Sequence, residues 1–200
     1  MLIKNKWALY AGYGFAGYHG VWAQRWYQPD AAAAATVLAA TLLTTAVQSV
    51  TTSITNPDFP RLLSVTGGDG NVTGNVVIVG TDIRGNAITD TIALNGASTV
   101  DGVSAFKTVT SISLPVYASA DTETVSVGIS DKLGLEMIPK LAVAISAHHD
   151  ATLEATLPTI TVGATVDLCV ADFNSACGAD HDQSVVFYTM DRPTRMARTA

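Results

Sequence analysis

Residues 74–96 read GNVVIVGTDIRGNAITDTIALNG, and this stretch carries the pattern that decides the fold prediction. Two short runs rich in Val, Ile and Thr, residues 76–79 and 88–94, are typical of β-strands. The turn residues Arg84-Gly85-Asn86 separate the runs, and Asn95-Gly96 follow the second run. The stretch therefore predicts short strands joined by turns.

The same pattern continues through most of the chain. Further strands are predicted at residues 62–65, 107–114, 124–129, 141–145, 159–165, 167–170 and 185–189, with turns at Gly67-Gly68-Asp69-Gly70, Asp101-Gly102 and Ser130-Asp131. Eight or nine strands at a spacing of roughly 10 residues predict an all-β antiparallel sandwich or a jelly roll. Strands do not alternate with helices along the chain, which argues against a doubly wound α/β fold.

One helix is expected before the strands begin. Asp30 precedes an Ala-rich run, and an aspartate can cap the first N–H groups of a helix for which Ala has the best propensity. The prediction is a short helix over residues 31–43. The resulting organisation is an N-terminal arm with this helix at 1–46, a β-sandwich domain at 47–190 and a basic C-terminal tail at 191–200.

Charge is scarce and unevenly placed. Only 14% of residues are charged, against roughly 25% in ordinary soluble chains. Residues 1–29 carry three bases and no acid, and so do residues 192–200. The residues between these two ends carry a net charge of −12. The acidic total argues against a nucleic-acid binder, which needs basic surface. The basic ends indicate segments that dock on something acidic, with solvated termini as the alternative.

The aromatic residues of the N-terminal arm are the main candidates for partner binding. They alternate with glycines that oppose a regular helix, and exposed apolar groups usually mark a binding surface. The candidate residues are Trp7, Tyr10, Tyr13, Phe15, Tyr18, Trp22, Trp26 and Tyr27, with Arg192, Arg195 and Arg198 in the tail. The alternative is that the arm simply completes the core of its own domain.

The sequence predicts no membrane span and no disulfide. The uncharged stretch 31–50 is long enough to cross a bilayer, but its Thr residues, Gln48 and Ser49 make it a poor span. Aromatic, Gly and His residues interrupt any signal-peptide core near the N-terminus. Cys169 and Cys177 are expected to be buried or idle thiols in a protein assembled in the cytoplasm.

No sequence motif predicts an enzyme or a cofactor site. Phosphate-loop, dinucleotide, nucleophile-elbow and zinc-protease motifs are all missing from the sequence. His148-His149-Asp150 is the densest polar cluster. Adjacent residues of a strand point to opposite faces, so the two imidazoles could share a metal ion only in a turn. A polar loop is the favoured interpretation. The Asp- and Asn-rich stretch 172–182 fails the calcium-loop pattern and is expected to connect two strands, with a casual cation site as the lesser alternative.

The strand region resembles a family of small virion structural proteins of tailed bacteriophages. The resemblance covers residues 47–188 and depends on the order of several short motifs rather than on any one of them. The motifs are Ile54-Thr55-Asn56-Pro57 with Pro60-Arg61, residues 74–81 and 88–96, Ala105-Phe106-Lys107-Thr108-Val109, Val127-Gly128 leading to residues 131–135, residues 154–159, and Asn174-Ser175-Ala176. The long aromatic arm and the Arg-containing tail depart from the family pattern.

The resemblance implies a non-enzymatic shell component, most simply a decoration or cement protein on the outside of the phage head. Its expected partners are the major capsid protein and sister subunits, with a homotrimer as the natural assembly and no nucleic acid, membrane, metal or cofactor. The expected location is the virion. The alternatives are a tail, baseplate or head-fibre component, and a carbohydrate-binding module, against which the placement of all three Trp residues in the arm argues.

Overall fold

The computed structural model describes residues 20–119, 121–178 and 180–189 of the chain. Strands make up most of these residues, and a single 3₁₀ turn at Val166–Leu168 interrupts them. The strands are β1 (Gly20–Trp26), β2 (Ala33–Leu42), β3 (Gln48–Val50), β4 (Arg61–Gly67), β5 (Asn75–Thr81), β6 (Ala87–Ala93), β7 (Val100–Phe106), β8 (Thr108–Leu114), β9 (Thr124–Gly134), β10 (Pro139–His149), β11 (Thr152–Leu153), β12 (Thr159–Thr161), β13 (Val170–Asp172) and β14 (Gln183–Thr189).

The strands form two antiparallel sheets packed face to face, which confirms the predicted antiparallel β-sandwich. The larger sheet has the order β1-β14-β10-β12-β13-β9-β4-β7, with β11 paired to β10 and β2 paired to β9. The smaller sheet has the order β3-β8-β5-β6. The turns predicted at Arg84-Gly85-Asn86 and after β6 at Asn95-Gly96 lie outside the strands, as expected.

The first hydrophobic core lies between the two sheets. The smaller sheet contributes Ile78 and Ile112, and the larger sheet contributes Val65 and Val127, all of them inaccessible to solvent. In β8, alternation turns Ile112 inward and leaves its neighbours Ser111 and Ser113 partly exposed. This core accounts for the pattern from which the sandwich is predicted.

A second hydrophobic core lies against the part of the larger sheet that contains β1, β14, β10, β12 and β13. Trp26 of β1, Phe187 of β14, Ile160 of β12 and Leu133 of β9 meet there, together with Phe173. The Trp26 and Phe173 rings pack edge to face, with centroids 5.6 Å apart, a favourable geometry for aromatic pairs. Strand β9 contributes side chains to both cores and so links them.

The side chain of Gln24 joins β1 to the end of β9. Its Nε2 donates to the carbonyl of Gly134 at 3.1 Å, and its Oε1 accepts from the N–H of Glu136 at 2.9 Å. Gln24 is buried, so these bonds satisfy an amide that would otherwise be costly to bury. The bridge holds β1, the outermost strand of the larger sheet, against the second core.

The helix predicted for residues 31–43 is wrong, because most of this run forms β2. Leu38 lies opposite Val127 and Thr41 opposite Val125 of β9. Val37 and Leu38 are buried in the first core, and burial of such side chains outweighs the small free energy by which the alanines favour a helix. Asp30 therefore precedes a strand and not a helix, and its backbone N–H donates to Asp58 while its carbonyl accepts from Arg61.

Two predicted turns are wrong because they lie inside strands. Asp101-Gly102 belongs to β7 and Ser130-Asp131 to β9. A side chain at Gly102 would collide with the carboxylate of Asp90, which accepts N–H bonds from Val103 at 2.7 Å and Ser104 at 3.1 Å. The glycine therefore serves close strand approach rather than a turn.

The strand boundaries after residue 158 also differ from the prediction. Strand β12 ends at Thr161 rather than at residue 165, and residues 167–168 belong to the 3₁₀ turn. The thiol of Cys169 contacts the N–H of Gly163 at 3.3 Å and the carbonyl of Thr165 at 3.2 Å, which holds this turn against the second core. Cys169 and Cys177 are both buried thiols, as the sequence predicts.

Candidate functional site

The structure describes three of the residues predicted to contact a partner: Trp22, Trp26 and Tyr27. The others lie outside the described residues, and they are Trp7, Tyr10, Tyr13, Phe15, Tyr18, Arg192, Arg195 and Arg198. The three described residues belong to β1 or follow it directly. They differ sharply in their access to solvent.

Trp26 is part of the second core and only 1% exposed, which corrects its prediction as a partner-binding residue. The physical reason is the alternation of β1, which turns Gln24 and Trp26 inward and Arg25 outward. Trp22 is half-buried and packs against the same core. Tyr27 is 56% exposed and remains accessible to a partner.

Both ends of the described domain lie at one place. Gly20, the first residue of β1, pairs with Thr189, the last residue of β14. The aromatic segment 1–19 is therefore joined to the larger sheet at Gly20, next to Thr189, where the Arg-containing segment 190–200 follows. The sequence could not show this relationship, because it depends on which strands pair.

An exposed apolar surface lies beside these two points, and we call it the β10–β14 face. It consists of Leu141, Val143, Ile145 and Tyr188, which are between 41% and 58% exposed. Phe187 points inward and pairs with the buried Ala144. The residues next to this pair along the strands, Tyr188, Val143 and Ile145, therefore point outward. Contiguous exposed apolar groups of this kind commonly mark a protein interface.

The sequence contains a signal for the β10–β14 face, beyond the strand that it predicts at residues 141–145. Residues 141–145 read LAVAI and contain no polar side chain. A strand with one buried face and one solvated face normally alternates apolar and polar residues. A strand in which both faces are apolar, but only one faces the core, leaves the other face for a partner.

A second cluster brings together side chains that are far apart in the sequence. His149 ends β10, Asp150 follows it in the turn, and His181 lies two residues before β14. The His181 Nδ1 and an Asp150 carboxylate oxygen are 3.0 Å apart, and the two imidazole centroids are 4.6 Å apart. Single ligand atoms of the three residues lie within 4.8 Å of one another.

The polar environment of this cluster keeps its carboxylate charged. A backbone hydrogen bond from Asp182, at 2.9 Å, and a side-chain hydrogen bond from His181 lower the pKa of Asp150 below its usual range. Gln183, which is fully buried, donates to the His149 Nδ1 at 3.0 Å and to the carbonyl of Ser175. The ring of His149 is thus held in position, whereas His148 takes no part in the cluster.

A surface cavity of about 390 Å³ opens where β2 and β13 part along β9. Two of its polar groups bond to Asp101: Lys132 Nζ lies 2.9 Å from the carboxylate, and the Ser130 hydroxyl lies 3.1 Å from the same oxygen. The hydrogen bond to Asp101 raises the pKa of Lys132, so this lysine stays protonated. Asp131 and Asp172 also line the cavity, so two further carboxylates accompany this ion pair.

Comparison with known protein families, with curated proteins and with solved structures finds no match for this chain. Within residues 20–119, 121–178 and 180–189, no helix has the length and apolar character needed to cross a membrane.

Proposed function

We propose that the chain is a structural protein of a tailed-phage virion, and that it binds the outer surface of the head as a decoration protein. The resemblance over residues 47–188 supports the class of protein. The β10–β14 face supports a role in assembly, and it is the observation that carries the proposal. The partners in this proposal are the major capsid protein and sister subunits, in the simplest case as a homotrimer.

The β10–β14 face suits such a role because of where it lies. A stable interface buries about 800 Å² on each partner, more than four side chains supply. The segments 1–19 and 190–200 are joined to the domain beside this face, at Gly20 and Thr189. Their aromatic and basic residues can therefore extend the contact. Aromatic and Arg side chains are the residue types that most often dominate binding energy at interfaces.

Locating the protein in purified virions tests the class of function first. The proposal expects the protein in the particle, at a copy number comparable with the capsomer positions of the head. Its absence from purified particles would contradict the proposal. Its presence only in tails would contradict the decoration role and favour the tail or baseplate alternative.

A truncation that starts at Gly20 tests the role of the N-terminal segment. The cut belongs there because removal of residues 1–29 would also delete β1 and Trp26, and with them part of the second core. We expect the truncated protein to keep its thermal stability and to bind heads that lack this protein more weakly than the full chain does. Unchanged binding by the folded truncation would show that residues 1–19 are not an anchor.

The basic tail is tested in the same binding assay. Replacing Arg192, Arg195 and Arg198 with Ala should weaken binding mainly at low salt, because salt screens exposed charges. The matched control is Lys107→Ala, since Lys107 is exposed and directly follows β7, the strand at the opposite edge of the larger sheet from β1. An equal loss for the control, or no loss at low salt, would remove the tail from the proposed interface.

A further inference from the structure

We propose that His149, Asp150 and His181 form a binding site for one divalent transition-metal ion, of which Zn²⁺ is the best-suited example. This inference is independent of the virion proposal. Two imidazole nitrogens and one carboxylate oxygen are a donor set that Zn²⁺ accepts, with a water molecule completing four-fold coordination. Ca²⁺ and Mg²⁺ prefer sites made wholly of oxygen atoms and suit this set less well.

The distances place the three donors close to the arrangement that a metal ion needs. All three ligand atoms lie within 4.8 Å of one another, and the pair from His181 and Asp150 is already at 3.0 Å. Bonds to Zn²⁺ are about 2.0–2.2 Å long for these donors, so small rotations of side chains suffice. Asp150 and His181 are about half exposed, which leaves those rotations and an approach path open.

The backbone around the cluster holds the donors in place before any ion binds. Asp150 has a φ of 56°, and its N–H donates to the carbonyl of Asp182 at 2.8 Å. Its carboxylate in turn accepts the N–H of Asp182 at 2.9 Å. This reciprocal pair fixes the β10–β11 turn against the segment that carries His181, so the site does not depend on one mobile loop.

A further polar partner fixes the ring of His149. The buried amide of Gln183 donates to its Nδ1 at 3.0 Å and is itself anchored on Ser175. A metal-bound histidine donates its second ring N–H, so binding through Nε2 would require the Gln183 amide to turn its buried oxygen, for which the described residues offer no hydrogen-bond partner, toward the Nδ1 of His149. The exposed Arg25 pairs with Asp182 rather than with Asp150, so this neighbouring cation does not occupy the carboxylate of the proposed site.

The metal ion would replace the hydrogen bond between His181 Nδ1 and the Asp150 carboxylate. It would also cross-link the β10–β11 turn to the connection between β13 and β14, two segments separated by about 30 residues of chain. An ion that binds only the folded state raises its stability by mass action. The proposal therefore has two readouts, affinity and thermal stability.

Titration of the full chain with Zn²⁺, followed by calorimetry, tests the proposal. We expect one ion per chain and a melting temperature that rises with Zn²⁺ concentration. With Co²⁺ in place of Zn²⁺, we expect the visible absorption that is typical of four-coordinate Co²⁺. His181→Ala and Asp150→Asn should each weaken Zn²⁺ binding by about tenfold or more. Both residues are exposed, and Asn tolerates the positive φ at position 150, so both variants should fold.

His148→Ala is the matched control, because His148 precedes the cluster and takes no part in it. Its Zn²⁺ affinity should stay within about twofold of the unaltered chain, a difference below about 0.5 kcal/mol. Two results would overturn the proposal. One is the absence of binding at about 1 mM Zn²⁺, and the other is an equal loss of affinity in His148→Ala and His181→Ala.

Discussion

Arg61 and Asp58 form an ion pair at 2.8 Å in which the side chain of Arg61 has no access to solvent. The guanidinium also donates to the carbonyls of Ser130, at 2.8 Å, and Asp30, at 2.9 Å. One side chain of β4 thus connects β9 and the segment that leads into β2. A buried charge held by three partners is costly to disturb, because loss of the Asp58 carboxylate leaves the Arg61 charge uncompensated.

Asp58→Ala should therefore destabilise the protein by about 3–5 kcal/mol, measured by urea denaturation. The control is Arg25→Ala, which breaks an ion pair whose Arg side chain is 64% exposed and should cost less than about 1 kcal/mol. If Asp58→Ala does not fold, the double variant with Arg61→Met should fold, because it removes both charges. Similar losses for Asp58→Ala and Arg25→Ala would contradict this account.

Gly128→Ala should destabilise the protein by displacing β2 from β9. A methyl group at this position would collide with the carbonyl of Ala33 and the adjacent backbone, and backbone cannot move aside cheaply. We expect a loss of at least about 1–3 kcal/mol, as in overpacked interiors. Gly70→Ala is the control, since no atom lies within 4 Å of the added methyl group. Equal stability of the two variants would argue against the pairing of β2 with β9.

Val143→Lys should reduce self-association or particle binding without unfolding the domain. Val143 is 58% exposed on the β10–β14 face, whereas Val103 is 65% exposed on β7. Val103→Lys makes the same substitution on an exposed strand position away from that face. Both variants should keep their stability within about 0.5 kcal/mol, and only Val143→Lys should change the sedimentation behaviour. A matching change in Val103→Lys would remove the special role of the face.

Cys177 should react very slowly with thiol reagents in the folded protein. Burial raises the pKa of its thiol from an ordinary 9.0 to about 12, although the positive charge of Arg61 opposes the rise. Only the thiolate reacts, so labelling of a Cys169→Ser variant at pH 8 should be slow until denaturant is added. Fast labelling of the native variant, with an inflection near pH 9, would contradict the buried environment.

The same shift sets the sign of a pH effect on stability. Between pH 9.0 and about 12 the unfolded chain ionises this thiol while the folded chain keeps it protonated. The stabilising contribution is therefore complete below pH 9.0 and is lost progressively as the pH rises toward 12. A Cys177→Ser variant should lose less stability over this range than the unaltered chain.

Strands β5, β6 and β8 of the smaller sheet could be predicted from the sequence because local signals decide them. Residues 76–79 and 88–94 combine β-branched side chains with turn residues at both ends, and the structure confirms β5 and β6 there. Strand β2 could not be predicted in this way. Its alanines favour a helix locally, and only the contact of Val37 and Leu38 with the first core makes the extended form more stable.

The candidate sites depended on tertiary structure even more strongly. His149 and Asp150 are adjacent in the sequence, but nothing in the spacing points to His181, which joins them because β10 pairs with β14. The aromatic residues of the N-terminal segment all appeared equivalent in the sequence. Pairing of β1 with β14 separated them, burying Trp26 and leaving Tyr27 exposed.

The sequence by itself determined that this protein is an antiparallel β-sandwich with an acidic body and basic ends. These properties follow from short-range patterns and composition, which need no knowledge of distant contacts. Only the tertiary structure decided that Gly20 meets Thr189, that Arg61 is buried, and that two histidines and an aspartate converge. Such relationships come from the order of strands in the sheets, which is set by the free energy of burying both cores together rather than by any local segment.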